Sequence, residues 1–346
     1  MNYELRTNET PRCSVYGQCG GCSYQDLSYT DELQLKEQSL RELFEKSLGV
    51  SAKKIAPILA SPRTYHYRHR LDLKMQRTQH GVFVGFNPRI GKGIVPIDTC
   101  PVAREEIASL IPSLTQQALQ RLPSHYLQAN LVVRCGQEGN VHWGGIGKKS
   151  IHLEPKDYLW VEIQGRKIFY SLDTFFQANL FILPAVIDMI RRFSCWTPTT
   201  VFYDLYGGVG LFGLAMIDRV KKVVLIENEI ASVRLAQFNK DYHQLPNFDI
   251  IQGKVGVHLD QVLDDEPQAE KIAFLDPPRA GLSQDVLDVL IRRPVFKKIL
   301  YLSCNPSSLV NDLTKLLKHG GTIETIVPMD FFPRTKHLET LVVINV

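Results

Sequence analysis

The sequence predicts an α/β protein: a doubly wound, mostly parallel sheet in its C-terminal half, a smaller antiparallel β-rich region before it, and a cysteine-rich N-terminal segment. Three observations predict this. Short apolar runs alternate with helical stretches after Thr174, period-2 runs fill residues 65 to 170, and Cys13, Cys19 and Cys22 crowd the start of the chain.

The composition sets the outer bounds. At 346 residues the chain exceeds the usual size of one domain, and 44% hydrophobic with 22% charged residues excludes a disordered or fibrous protein. A formal net charge of +4 permits a polyanionic partner without requiring one. No N-terminal apolar core of a signal peptide and no long apolar run occurs, so a cytoplasmic protein without a membrane span is expected. Seven cysteines, an odd number without an export signal, argue against a disulfide framework and leave metal ligation, catalysis or packing.

Each element follows from its pattern. Residues 1 to 30, rich in Cys, Gly and Tyr, read as a loop-dominated knot that needs an external staple. From Asp31 to Leu48 the residues Leu33, Leu40, Leu43, Phe44 and Leu48 fall mostly at helical spacing, with Gly49 as the C-cap. YHYRHRLDLKM, HGVFVGF, ANLVVRC, NVHWGGI and KIFYSL read as antiparallel strands, with a helical insertion around residues 103 to 121. VFYDLY, KVVLIE, KIAFLD, KILYLS and TLVVINV supply the later sheet. The expected division is residues 1–50, 51–170 and 171–346.

VFYDLYGGVGLFG is a strand entering a glycine-rich turn and then a helix, the context of a nucleotide-binding loop. Glu227, at the end of the next strand, is placed to accept from two ribose hydroxyls. Gly208, Gly210 and Gly213 also satisfy G-x-G-x-x-G, which keeps a nicotinamide or flavin dinucleotide open. Asp204 favours S-adenosylmethionine: an acid there suits a sulfonium and an amino group and repels a pyrophosphate.

Asp276-Pro-Pro-Arg279 and Ser303-Cys304-Asn305-Pro306 follow two of the predicted parallel strands, at the edge where open α/β sheets place their active sites. DLYGGVG, DPPRAG, SCNP and HLET in this order, with C-x5-C-G-G-C and a later cysteine upstream, resemble the RNA uracil-C5 methyltransferase family of the TrmA/RumA type. The resemblance covers most of the chain. It implies a Rossmann-like class I S-adenosylmethionine methyltransferase domain, Cys304 as nucleophile and Glu339 as general base. It further implies that Gln177, Tyr206, Glu227 and Asp276 contact the cofactor. The chemistry agrees, because C5 of uracil is too weak a nucleophile unaided: a thiolate adding at C6 makes C5 electron-rich, and a carboxylate must then remove the C5 proton. The family commonly has cysteine where Gly207 stands. The oligonucleotide-binding domain that precedes the cysteines in some members is not expected, since twelve residues precede Cys13.

Cys13, Cys19, Cys22 and Cys100 supply four soft ligands for zinc or an iron–sulfur cluster. Similarity to the family favours [4Fe–4S], in a structural or RNA-facing role. Tyr65, His66, Tyr67, Arg68, His69 and Arg70 interleave rings and cations as a candidate RNA surface along a strand, and Phe175 and Phe176 are candidates to stack on the target base. The expected substrate is rRNA or tRNA, bound by a monomer. Two other readings stay open at this stage: an iron–sulfur oxidoreductase using NAD or flavin, and a non-catalytic RNA-binding protein on the same scaffold.

Overall fold

The computed structural model describes residues 9–121, 123, 125–145, 152–193 and 196–346. The start of the cysteine-rich segment and Ile146 of the NVHWGGI run lie outside the described residues.

The chain opens with turns that carry Cys13, Cys19 and Cys22, then forms α1 (Tyr29–Leu48), closed by Gly49 in the left-handed region at φ 62°. A five-stranded antiparallel sheet follows: β1 (Arg70–Thr78), β2 (Gly81–Phe86), β3 (Val95–Pro96), β4 (Gln128–Cys135) and β5 (Val141–Gly145), in the order β3-β2-β1-β4-β5. The expected helical insertion is α2 (Glu105–Arg121), which lays Ile107, Ile111 and Leu114 on one face of this sheet. A hairpin, β6 (Leu159–Ile163) and β7 (Arg166–Tyr170), and α3 (Leu183–Arg192) lead into the larger sheet.

That sheet is built from β8 (Val201–Leu205), α4 (Leu211–Met216), β9 (Lys222–Glu227), α5 (Ile230–Tyr242), β10 (Phe248–Gln252), α6 (Val255–Val262), β11 (Lys271–Leu275), α7 (Gln284–Arg292), β12 (Phe296–Ser303), α8 (Pro306–Lys318), β13 (Thr322–Met329) and β14 (Glu339–Asn345). The strand order is β10-β9-β8-β11-β12-β14-β13, parallel except for β14, which runs antiparallel to both its neighbours. Both faces are covered, so the strands read as continuous apolar runs. Phe202, Phe274, Leu300 and Val343 point into one core; Tyr203, Ala273, Tyr301 and Val342, one residue along, point into the other.

Packing moves the expected divisions. The hairpin of residues 159–170 shares its core with the larger sheet through Val161, Ile168 and Tyr170, where the division at 170 would separate them. Residues 52–59 zip along β13, with Ile55 opposite Ile326 and Leu59 opposite Met329, and Leu40 and Phe44 of α1 join the other core. Among the described residues, only the five-stranded sheet with α2 holds a core apart from these two.

The segment Tyr65–Arg70 also departs from expectation. It is not a strand before Arg70, and Tyr65, Tyr67 and His69 are buried. Tyr67 donates its hydroxyl to the Pro333 carbonyl at 2.9 Å, and the Tyr65 ring lies between the guanidinium groups of Arg12 and Arg334. The pattern of rings and cations therefore serves internal packing. Half-exposed His66, Arg68 and Arg70 are what remains of the candidate RNA surface. Among the described residues no helix is long and apolar enough to cross a membrane.

Candidate active site

The glycine turn is shaped by backbone sign. Tyr206, Gly208 and Gly210 take positive φ values of 62°, 58° and 89°, which lets the chain reverse between β8 and α4. Gly207 is required for a different reason: a Cβ there would stand 2.7 Å from Leu225 side-chain atoms and 3.0 Å from Asp204 Cγ. The cysteine that the family resemblance leads one to expect here would not fit this backbone without a shift of Leu225.

Glu227 braces the turn from β9, accepting from the Gly208 N–H at 2.9 Å and the Glu229 N–H at 2.7 Å. Asp204 is a correction to the sequence reading. It is fully buried beneath the turn, where Oδ2 accepts from the Gly213 N–H at 2.8 Å and Oδ1 has no partner among the described residues, so it is spent on supporting the loop and not exposed to a ligand. Burial pushes its carboxyl up to about 8, with Asp276 and Glu227 adding to the rise. Asp276, beyond β11, donates its N–H to the Leu205 carbonyl at 3.3 Å. Burial and Glu227 push its carboxyl up to about 7. Coupled carboxylates of this kind make the site receptive to a cation.

Cys304 follows the last residue of β12, and Glu339 opens β14. Ser303 pairs with Thr340 across these antiparallel strands, so Cys304 and Glu339 occupy the next opposed position, on one face of the sheet. Burial pushes the half-buried Cys304 thiol up, Glu339 and Asp276 add to this, and Arg279 opposes it. Burial pushes Glu339 up to about 8, assisted by Asp276 and opposed by Arg279. Cys304 stands just before Asn305, the N-cap of α8, whose positive end favours a thiolate. The Asn305 side chain accepts from the Ser307 N–H at 3.2 Å and donates to the Arg279 carbonyl at 2.9 Å.

The structure thus gathers Asp276, Cys304 and Glu339, with Glu227 in electrostatic reach of Asp276. Burial pushes the Tyr206 hydroxyl up, and Ser283 beside it opposes the rise. Gln177 is buried in the segment that leads to α3, beside Ala178, whose carbonyl accepts from the His69 N–H at 2.7 Å. Phe176 is stacked on Tyr170 at 4.1 Å and buried, which removes it as a base-stacking candidate; Phe175 is 64% exposed. The sequence reading assigned no role to Arg279 or Asn305. Their signal was their place in the two strand-end motifs, DPPR and SCNP.

Cys13, Cys19, Cys22 and Cys100 line one cavity, together with Leu71, Phe86, Ile97 and Val102. Burial pushes the Cys22 thiol up to about 12, with Cys100, Cys19 and Cys13 contributing, and also raises Cys19 and Cys100. Among the described residues no group of three or more His, Cys, Asp or Glu stands close enough to share a single ion. Cys135 is buried in the core of the five-stranded sheet, and Cys195 lies outside the described residues.

A seven-stranded sheet with one reversed strand, a glycine turn after β8, and acids at the ends of the next strands define a class I S-adenosylmethionine-dependent methyltransferase. The sequence profile described as tRNA (Uracil-5-)-methyltransferase matches residues 137–346. The chain belongs to this family, the class of S-adenosylmethionine-dependent RNA uracil-C5 methyltransferases. It is 29% identical to the 23S rRNA (uracil(1939)-C(5))-methyltransferase RlmD of Aliivibrio salmonicida, over 96% of this chain and 81% of the relative. An uncharacterized RNA methyltransferase of Clostridium tetani is 27% identical over 96% of this chain and 83% of its own length. The fold matches that of Pyrococcus abyssi tRNA (uracil-54, C5)-methyltransferase, solved with S-adenosyl-L-homocysteine, at a TM-score of 0.71 and 20% identity, over 94% and 85% of the two chains. The family match does not favour the oxidoreductase reading.

Proposed function

We propose that this protein methylates C5 of a uridine in rRNA or tRNA through a covalent adduct on Cys304. The observation that carries the reading is the opposed placement of Cys304 and Glu339 beside Asp276 and the glycine turn. The Cys304 thiolate adds to C6 of uracil, pushing the C5–C6 electron pair toward the ring carbonyl and making C5 nucleophilic. Gln177, Tyr206, Glu227 and Asp276 would hold S-adenosylmethionine, which when bound would supply an electrophilic methyl to C5 and leave as the neutral thioether S-adenosylhomocysteine. Glu339 then takes the C5 proton, and the returning electrons re-form the C5–C6 double bond and expel the Cys304 sulfur. Arg279 opposes the charging penalties at both groups, and the α8 N-terminus supports the thiolate.

The cofactor assignment draws support from Glu227 and Asp276, acids at the ends of β9 and β11 beside the glycine turn, which suit a sulfonium and an amino group and oppose a pyrophosphate. Cys13, Cys19, Cys22 and Cys100 around one largely apolar cavity supply the four soft donors that a [4Fe–4S] cluster would take as thiolates. The methyl transfer moves no net electron, so the cluster's role is to fasten the N-terminal segment. The five-stranded sheet is the RNA-gripping domain, in a cytoplasmic, monomeric enzyme.

The test is RNA that carries 5-fluorouridine. Fluorine at C5 cannot leave as a proton, so the methylated adduct stays on the enzyme and is seen as a shifted band on a denaturing gel. A Cys304→Ala protein forms no such band. Equal adduct in the alanine variant overturns the assignment of the nucleophile.

A further inference from the structure

The five-stranded sheet carries a groove of about 600 Å³, away from the catalytic edge and large enough for a small ligand or nucleotide unit. Its floor is the outer face of two paired strands, with Lys74 opposite Asn130 and Gln76 opposite Gln128. Strand alternation produces this face: Leu71, Leu73 and Met75 go into the core and leave Lys74 exposed between them. Lys92 stands on the loop that forms one wall, and Tyr126, partly exposed, lines the groove as well. No carboxylate is among the described lining residues. Two ammonium groups, several amides and one open ring, without an acid, match single-stranded nucleic acid: phosphate for the lysines, base edges for the amides, a base face for the ring.

Two connections tie the groove to the rest of the molecule. Arg70, at the start of β1, donates to the Thr174 carbonyl at 3.4 Å, close to the segment that carries Gln177. Lys74 lies four residues further on, about 14 Å along the strand at roughly 3.4 Å per residue. The wall loop is held by the cysteine-bearing segment: the Gly20 N–H donates to the Asn87 carbonyl at 3.1 Å, the Arg89 N–H to Gln18 at 2.7 Å, and the Arg89 guanidinium to the Cys22 carbonyl at 3.2 Å.

We propose that this groove is an RNA subsite that holds unpaired nucleotides flanking the target uridine, with Lys74 and Lys92 on phosphates and Tyr126 under a base. The inference rests on the RNA methyltransferase reading and adds where the strand is held beyond the reacting base.

The experiment measures binding of a fluorescein-labelled single-stranded oligouridylate to the full chain across a salt series. A K74Q/K92Q protein is expected to bind about tenfold more weakly, with the slope of log affinity against log salt reduced by about 1.4 for two lost phosphate contacts. Tyr126→Ala is expected to weaken binding about fivefold or more and to leave the slope unchanged. A K46Q/K318Q protein, with the same change in charge on exposed helix ends, keeps the wild-type slope. Thermal melting and S-adenosylhomocysteine affinity report folding of each variant. Wild-type slope and affinity in K74Q/K92Q, or an equal loss in K46Q/K318Q, overturns the subsite. The 5-fluorouridine adduct of the wild type, read in parallel, tests the methyl-transfer chemistry separately: its formation alongside unchanged binding by K74Q/K92Q sinks the groove alone.

Discussion

Replacing Glu339 with Gln keeps the shape and polarity of a buried side chain but removes its ability to take a proton. General-base assistance of this kind is worth about 10²- to 10⁴-fold, and turnover of the variant is expected to fall by that range. The structure adds a pH signature. With its carboxyl pushed up to about 8, only about one wild-type molecule in ten has Glu339 ionised at pH 7, and about nine in ten at pH 9. Where proton removal limits turnover, the wild-type rate therefore rises roughly tenfold over that interval. The Gln variant loses this rise, yet in a single turnover on unmodified RNA it still accumulates the adduct on Cys304. Stability moves the opposite way. A carboxyl raised in the folded state costs nothing below its unfolded value near 4.5 and lowers stability as pH climbs from there through about 8. Glu339→Gln is thus expected to match the wild type near pH 4 and to exceed it by on the order of a few kcal/mol at pH 9, read from urea midpoints. Turnover within a few-fold of wild type, with the pH rise intact, would refute the general-base assignment.

Two further predictions concern the frame around the site. Cys22→Ser is expected to lower iron and acid-labile sulfide per chain and to lower the melting temperature, while the Cys304 adduct still forms with 5-fluorouridine RNA at a temperature where the variant is folded; full iron content in the variant counts against the four-cysteine ligand set. Lys36 donates to Glu32 at 2.7 Å and to Asp330 at 2.8 Å inside the protein, and Tyr29 donates to the other Asp330 oxygen at 2.9 Å. Lys36→Met leaves two buried carboxylates without their cation, and a loss of about 3–5 kcal/mol in urea unfolding is expected; a loss under about 1 kcal/mol, the level of an exposed pair, would show that the network contributes little.

Strand ends and their motifs were legible in the sequence because they depend on local pattern. The run VFYDLY before the glycines, DPPR after KIAFL and SCNP after KILYL declare parallel strands with chemistry at their carboxyl ends, and the buried strands β8, β11 and β12 follow these runs. The helix Asp31–Leu48 and its stop at Gly49 were equally local. The candidate RNA strand Tyr65–Arg70 misled because a sequence of alternating rings and cations looks the same whether it faces solvent or packs between Arg12, Arg334 and Pro333. Glu32 and Lys36 drew no reading from the sequence, because charged residues on a helix carry no local sign of burial, and here they close a buried network.

The sequence by itself located five of the seven strands of the larger sheet, all but β10 and β13, together with the glycine turn and the set of reactive residue types, since each of these is written in a few adjacent positions. Only the tertiary structure decided that β14 inserts antiparallel between β12 and β13 and so brings Glu339 beside Cys304. It also decided that both groups are removed from water and feel the charges of Asp276 and Arg279. Register and burial are sums over distant parts of the chain, and the protonation of a buried group follows those sums and not its sequence neighbours.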